Sequence, residues 1–506
     1  MNTLKKTLAL VATLAMAATA FASCGSSDSG SSSTASTAES SKADSAADDS
    51  AADDSAADDS AADDSVADDD SSAAADTPIE STGELDASVG TGGDTFTVAA
   101  WNADDVPYLI AQWKGVSSED VADNKIDGIN FINFGVGGGD ASEKYDQLFS
   151  AGSDLDVYFC EADWALKYIN DDSKTLALDK LGLGDSDFSN IYNYTDEIGK
   201  TTGGVRKGVS WQAAAGGFYY RADLAEEYLG ATTPDEMQAQ ISDWDKFVTA
   251  AQTVADKSNG KTALADTLGG MWQAYACGRT TPWVQDNTLQ IDDFCQQFAD
   301  TAKALWDCGG ITKNSQWSDE WTAAGTNDTC MGYFVSTWGF GGFALDAAGG
   351  EGGATYGKWA VCPGPQPFYW GGTWIVVNPD TDNGQEARDF IISATSDEAA
   401  MSAYATSKPE YVNNSKVMDD LIASDTVFNQ VITDNMGGQN FYAALADNAK
   451  TINFNGLITE YDATVKTDFI DAVKTNYLEG GASWDDTVEA FKDLVSEHIT
   501  SLNWDE

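Results

Sequence analysis

The chain has 506 residues, 42% of them hydrophobic, a formal charge of -55 and a pI near 4.1. That length and apolar content can build two domains with large cores. The acidity excludes nucleic acid and an anionic membrane surface as partners, because both need Lys and Arg to neutralise phosphate, and it favours an uncharged ligand unless a local basic pocket overrides the global field.

Lys5 and Lys6 precede an apolar run from Thr7 to Ala20 that is too short to span a bilayer, so residues 1–24 read as a targeting segment. Its end, Phe21-Ala22-Ser23-Cys24-Gly25, resembles the lipobox of bacterial lipoproteins. That resemblance implies that Cys24 becomes the N-terminus and carries a lipid. Phe21 departs from the aliphatic residue usual there, which leaves plain signal-peptidase cleavage open.

Residues 25–93 are mostly Ser, Ala, Asp and Gly, with A-A-D-D-S repeated between Ala46 and Ser65. Too few apolar side chains offset the ordering entropy, so this stretch is expected to be an extended tether with a reach of about 45 Å.

Regular structure is expected from Thr95 on. Strands are predicted over 95–100, 129–134 and 155–160, with a helix over Ser142–Phe149. This alternation implies a parallel α/β sheet whose ligands bind beyond the carboxyl ends of the strands. The run Gly135–Asp140 reads as a tight strand-to-helix turn, because Asp140 stands where a dinucleotide fingerprint has its last glycine and would repel a pyrophosphate. Asp380–Gly384 is one residue short of a calcium loop and reads as a turn before a helix. At the C-terminus, Val465, Phe469, Val473 and Tyr477 share one helical face. Trp484, Val488, Phe491, Val495 and Ile499 share another, capped by Ser483 with Asp486 three residues on.

Six cysteines follow Cys24. Cys295 and Cys308 fall on one predicted helix, roughly 20 Å apart, and cannot bond to each other. With one histidine, His498, and no CxxC pair, zinc spacing is absent, and neither metal nor cofactor is expected.

The sixteen tryptophans carry the functional signal, since many follow strands or sit in loops beside carboxylates and amides. An indole face packs on the C–H face of a sugar, while Asp, Glu, Asn and Gln take its hydroxyl hydrogens. The candidates are Trp101, Asn102 and Asp104 after the first strand, and Glu161, Asp163 and Trp164 after the third. Further along come Trp211 with Gln212, Trp283, Trp317 with Asp319, Trp338, Trp370 and Trp374.

From Thr95 to the C-terminus the motifs F-T-V-A-A-W-N, D-L-D-V-Y-F-C-E-A-D-W, K-G-V-S-W-Q-A-A-A-G-G-F-Y-Y-R-A-D-L, I-S-D-W-D-K-F, M-G-Y-F-V-S-T-W-G and Y-W-G-G-T-W-I-V-V-N-P-D follow in order. In that order the chain resembles extracellular solute-binding protein family 1, the carbohydrate-binding lipoproteins of ABC importers and relatives of maltose-binding protein. The resemblance implies an α/β, two-lobed periplasmic-binding-protein-like (type II) fold with an interlobe ligand cleft. Its first lobe would cover about 94–209 plus 371–436, and its second about 210–370 plus 437–506. It also implies a monomer that captures a neutral oligosaccharide by lobe closure and hands it to ABC permease subunits. Trp101, Asn102, Asp104, Glu161, Asp163, Trp211, Trp338 and Trp370 fall where members of that family touch sugar. Two other readings stay open: a glycoside hydrolase using Glu161 and Asp163, and a tethered surface adhesin without a transporter.

Overall fold

The computed structural model describes residues 79–424, 428–453 and 457–504. The targeting segment, Cys24 and the A-A-D-D-S repeats lie outside the described residues.

Strand β1 (Phe96–Ala100) is buried along its whole length and lies between β2 (Ile129–Asn133) and β3 (Val157–Glu161), parallel to both. A continuous apolar strand belongs in such a place, where both faces of the sheet are covered. Next come β4 (Gly208–Ser210), β5 (Gly216–Arg221), β6 (Ala263–Ala265), β7 (Val284–Gln285) and β8 (Thr288–Leu289). They are followed by β9 (Cys330–Ser336), β10 (Trp359–Cys362), β11 (Thr373–Val377) and β12 (Asn503–Trp504).

The first lobe holds a sheet of order β2-β1-β3-β11-β4, and the second a sheet of order β10-β5-β9-β6; β12, β8 and β7 form a small third sheet. The first sheet is not purely parallel, contrary to expectation. β11 returns from the second lobe and enters antiparallel between β3 and β4, with Thr373 opposite Glu161 and Trp374 opposite Ser210. That register brings the start of β11 beside the end of β3, where the cleft opens.

Strands β5 and β9 divide their side chains between two cores by simple alternation. Tyr219, Tyr333 and Val335 join the core shared with the first lobe, whereas Phe218, Tyr220 and Phe334 join the core behind the second. The second core is closed by the C-terminal helices Asp462–Ala472 and Trp484–His498, the latter capped by Ser483 accepting from the Asp486 amide, as its sequence predicts. His498 pairs with Asp468 on the surface of this helical pair. The helix Gln430–Asn435, which sequence alone puts at the end of the first lobe, lies against the second: Asn435 donates to the Tyr219 hydroxyl and Tyr356 donates to the Val431 carbonyl. All six described cysteines are free thiols.

The expected tether ends earlier than residue 93. Residues 79–93 lie along the first lobe, where the Ile79 amide donates to Asp185, Gly83 to the Gly182 carbonyl and Asp86 to the Lys180 carbonyl. Val89 is buried, and the Gly384 amide donates to Gly90 at the start of the helix Gly384–Thr395. Sequence hides this strap because its attachment is mostly backbone hydrogen bonding. Asp156 anchors the same end of the lobe, accepting from the Thr97 amide at 2.7 Å, from the Thr381 hydroxyl at 2.6 Å and from Asn383. The turn at Asp380–Gly384 is therefore a structural tie.

A protein beginning at residue 94 is expected to be less stable than one beginning at residue 79, by about 5 kcal/mol for the four hydrogen bonds named above and one buried valine. Urea unfolding of the two proteins measures the difference; equal midpoints would show the strap to be incidental.

Candidate functional site

A cleft of about 890 Å³ opens between the lobes at the carboxyl ends of β1 and β3. The first lobe contributes Trp101, Asn102 and Asp104 from the end of β1, Gly138 from the turn after β2, Glu161 and Asp163 from the end of β3, and Gln212 from the crossing after β4. The second contributes Trp338 from the end of β9, and Trp370 lies on the return crossing. The sequence candidates Trp101, Asn102, Asp104, Glu161, Asp163, Gln212, Trp338 and Trp370 therefore share one cavity wall.

Local structure fixes each of them. Asn102 accepts from the amides of Asp104 and Asp105 and donates to the Asp105 carboxylate, a turn that starts the helix Asp105–Lys114 and leaves Asp104 exposed. Trp101 packs edge-on against Trp164 at 5.7 Å, and the Trp164 indole donates to the Gly138 carbonyl. Gly138 lies close under Trp101: a Cβ there would stand 3.0 Å from the indole nitrogen, and the ring would have to shift by a few tenths of an ångström. Trp338 donates to the Trp370 carbonyl at 2.6 Å, and the two rings meet edge-to-face at 5.5 Å. Trp317, outside this cavity, packs on Trp370 at 5.5 Å and on Trp338 at 6.1 Å. Its backbone is left-handed, with φ of 69°, and its ring is 55% exposed. A bulky residue held in that region is strained, and such strain concentrates at functional sites.

Several candidates are corrected. Trp164, Trp211, Trp283 and Trp374 are at most 4% exposed and have no free ring face for a ligand. Trp164 is the buried support under Trp101. Trp211 packs on Phe159 and donates to the Tyr404 hydroxyl, and Trp374, on the fully buried β11, donates to the Thr195 carbonyl. Trp283 lies between Trp272, Phe469 and Phe491 in the second core. Asp319 opens the exposed first turn of the helix Asp319–Thr326, away from the cleft lining, while Trp321 beside it is core.

Two charged residues of the site escape sequence reasoning. Lys466, on the helix Asp462–Ala472, crosses from the second lobe to pair with Asp163 of the first. Helical periodicity shows Lys466 only as a polar position on an amphipathic helix, so nothing in sequence points it at the cleft. Burial, and then the Asp163 carboxylate, push the Glu161 carboxyl up from its ordinary range, with Lys466 pulling the other way.

The second is Glu410, at the hinge. Its carboxyl oxygens accept from the Thr337 hydroxyl at 2.7 Å and from the Gln212 amide at 2.9 Å, and burial pushes its pKa up to about 8. Glu410 thus bridges the end of β9 to the first crossing. The Gln212 carbonyl oxygen, on the far side of that amide, is buried with no partner.

Residues 122–427, more than half of the chain, match the family described as bacterial extracellular solute-binding protein. The chain belongs to that family. Among solved structures it resembles an extracellular solute-binding protein family 1 member (TM-score 0.66, 18% identity, 81% of this chain and 100% of that one). It also resembles the ABC transporter-associated binding protein of B. animalis subsp. lactis Bl-04 in complex with β-1,6-galactobiose (TM-score 0.59, 17% identity, 82% and 100%). A third neighbour is the galacto-N-biose/lacto-N-biose I-binding protein of Bifidobacterium longum in complex with lacto-N-biose (TM-score 0.60, 14% identity, 81% and 98%). At these identities the likeness carries the two-lobed fold. No curated protein matches by sequence. Among the described residues no helix is long and apolar enough to cross a membrane.

Because Glu410 has a raised pKa in the folded chain, its contribution to stability is present in full below about 4.5 and is lost as pH rises through about 8. Glu410→Gln is expected to remove up to ~1.4 kcal/mol per pH unit of that slope, read from urea unfolding between pH 5 and 8.5. An unchanged slope in the variant would place the titration elsewhere.

Proposed function

We propose that this protein captures an oligosaccharide between its lobes and delivers it, intact, to the permease subunits of an ABC importer. The observation that carries this reading is the meeting, in one interlobe cleft, of three half-buried tryptophans and a ring of carboxylates and amides. Trp101, Trp338 and Trp370 offer apolar faces for sugar C–H groups. Asn102, Asp104, Glu161, Asp163 and Gln212 offer hydrogen-bonding partners for hydroxyls, which uncharged sugar units in this cleft satisfy on both sides.

The two lobes contact the sugar together only when closed, so binding favours the closed arrangement, and the closed surface is what a permease would recognise. Asp163 and Lys466 already meet across the cleft, and sugar hydroxyls would insert into that network. The protein acts as a monomer held to the extracytoplasmic face of the membrane through a lipid on Cys24, with its acidic tether as spacer. The solved neighbours with bound galactobiose and lacto-N-biose support a sugar as ligand.

The carboxyl pair Glu161 and Asp163 comes from one end of one strand, with the Asp163 amide donating to Glu161. A hydrolase places its two carboxyl groups on either side of the scissile bond, and two residues on the same wall suit hydroxyl binding better.

A titration of tryptophan fluorescence with a panel of oligosaccharides, followed by product analysis of the same samples, tests the proposal. A saturable change with the sugar recovered intact is expected. Trp370→Ala is expected to weaken binding about 10- to 100-fold, for the loss of one stacked ring of about 1.5–3 kcal/mol. Sugar consumed during the titration would move the assignment to a hydrolase, and no response to any sugar would move it to another solute.

A further inference from the structure

Beyond Trp370 the cleft continues into a second cavity of about 420 Å³ on the second lobe, and the two cavities share that tryptophan. Their charges are opposite. The main cleft is lined by the carboxylates of Asp104, Asp105 and Asp163 and by the carboxyls of Glu161 and Glu410, whose burial favours the neutral form, with Lys408 as its one cation. The second cavity is lined by Lys313, Lys466 and Lys474, with Asp471 as its one acid.

Three lysines in one cavity are notable in a chain with 82 acidic and 27 basic residues. Among the described residues Lys313 and Lys474, like Lys114, Lys144, Lys174 and Lys257, have no carboxylate within 4 Å, although Asp471 attracts Lys474 at longer range. Lys313 lies instead over the Trp306 ring at 4.2 Å. Lys474 leaves a π-helical stretch, Val473–Glu479, a rare geometry that recurs at functional sites. The Gln316 amide nitrogen, on the same lining, is buried with no partner.

Two further features strengthen the positive end of this wall. The helix Leu268–Ala276, capped by Thr267, presents its first residues, Leu268 and Gly269, to the cavity, so the positive end of its dipole faces it. Behind it Arg279 is 4% exposed and stacked on Trp283 at 3.8 Å, and two of its guanidinium nitrogens have no partner. Gln273 and Lys466 line both this cavity and the small one holding Arg279, where Asp163 and Asp462 offset part of its charge.

Resting on the sugar-binding reading, we propose that the second cavity is a subsite for a carboxylate-bearing sugar unit, with Lys313 and Lys474 pairing the carboxylate and Trp317 and Trp370 covering the ring. The ligand is then an acidic oligosaccharide whose uncharged units lie in the main cleft and whose uronate or sialate unit lies beyond Trp370. This local basic pocket overrides the repulsion of the chain's net charge, which is screened over about 8 Å at physiological salt while the contact pairs are not. Charge-assisted hydrogen bonds to the carboxylate supply the selectivity.

The test is a calorimetric titration of the protein with a panel in which each neutral oligosaccharide is matched by a uronate- or sialate-bearing counterpart. At low salt at least one acidic member is expected to bind about tenfold or more tightly than its neutral match, with the ratio falling at about 0.5 M salt. Both lysines reach solvent, so Lys313→Gln with Lys474→Gln is expected to fold normally, checked by its unfolding midpoint, and to bring the ratio close to one. Neutral members binding as tightly as their acidic matches would overturn the subsite and leave sugar capture standing. The same holds if the acidic preference survives in the double variant. No binding by any member would overturn both.

Discussion

The chain passes between the lobes in hydrogen-bonded company, and the site depends on that ribbon. The stretch Trp211–Ala215 is bridged on one side to Val412 and on the other to Tyr369, with the Ala213 amide donating to Tyr411 and the Trp370 amide to Ala214. Paired strands bend far more easily than they slide. That pairing holds the residues at the mouth of the ribbon, Gln212, Trp370 and Glu410, beside one another. Glu410 adds a side-chain tie from the ribbon to Thr337 at the end of β9, and burial keeps that tie protonated at neutral pH.

The aromatic residues serve two purposes that sequence composition merges. Four of the candidate tryptophans are buried and give the lobes rigidity: Trp374 and Trp211 under the first sheet, Trp283 in the second core, Trp164 beneath Trp101. Trp101, Trp338 and Trp370 line the cleft, and the most exposed tryptophan, Trp317, lies beyond it on the second cavity, held by a strained backbone. The buried set makes the exposed set precise, because Trp101 can present its face only while Trp164 and Gly138 fix its edge.

Charge is distributed along the cleft as sharply as the aromatics. Carboxylates gather where β1 and β3 end, lysines gather past Trp370, and Lys466 stands at the junction paired with Asp163. Net charge, summed over the chain, carries none of this pattern.

Sequence alone determined the strand positions around β1, β2 and β3, the C-terminal helices and their cap, and the family, and it named eight of the residues that line the cleft. Those signals are local: alternation, capping and short motifs in order survive without knowledge of contacts. Tertiary structure alone decided which tryptophans are core, because a Trp on a buried strand and a Trp one residue past its end look alike until the sheet is assembled. It also decided the antiparallel entry of β11, the strap at 79–93, and the roles of Lys466 and Glu410. Each of those depends on a partner more than 50 residues away in the chain, where no local pattern reaches.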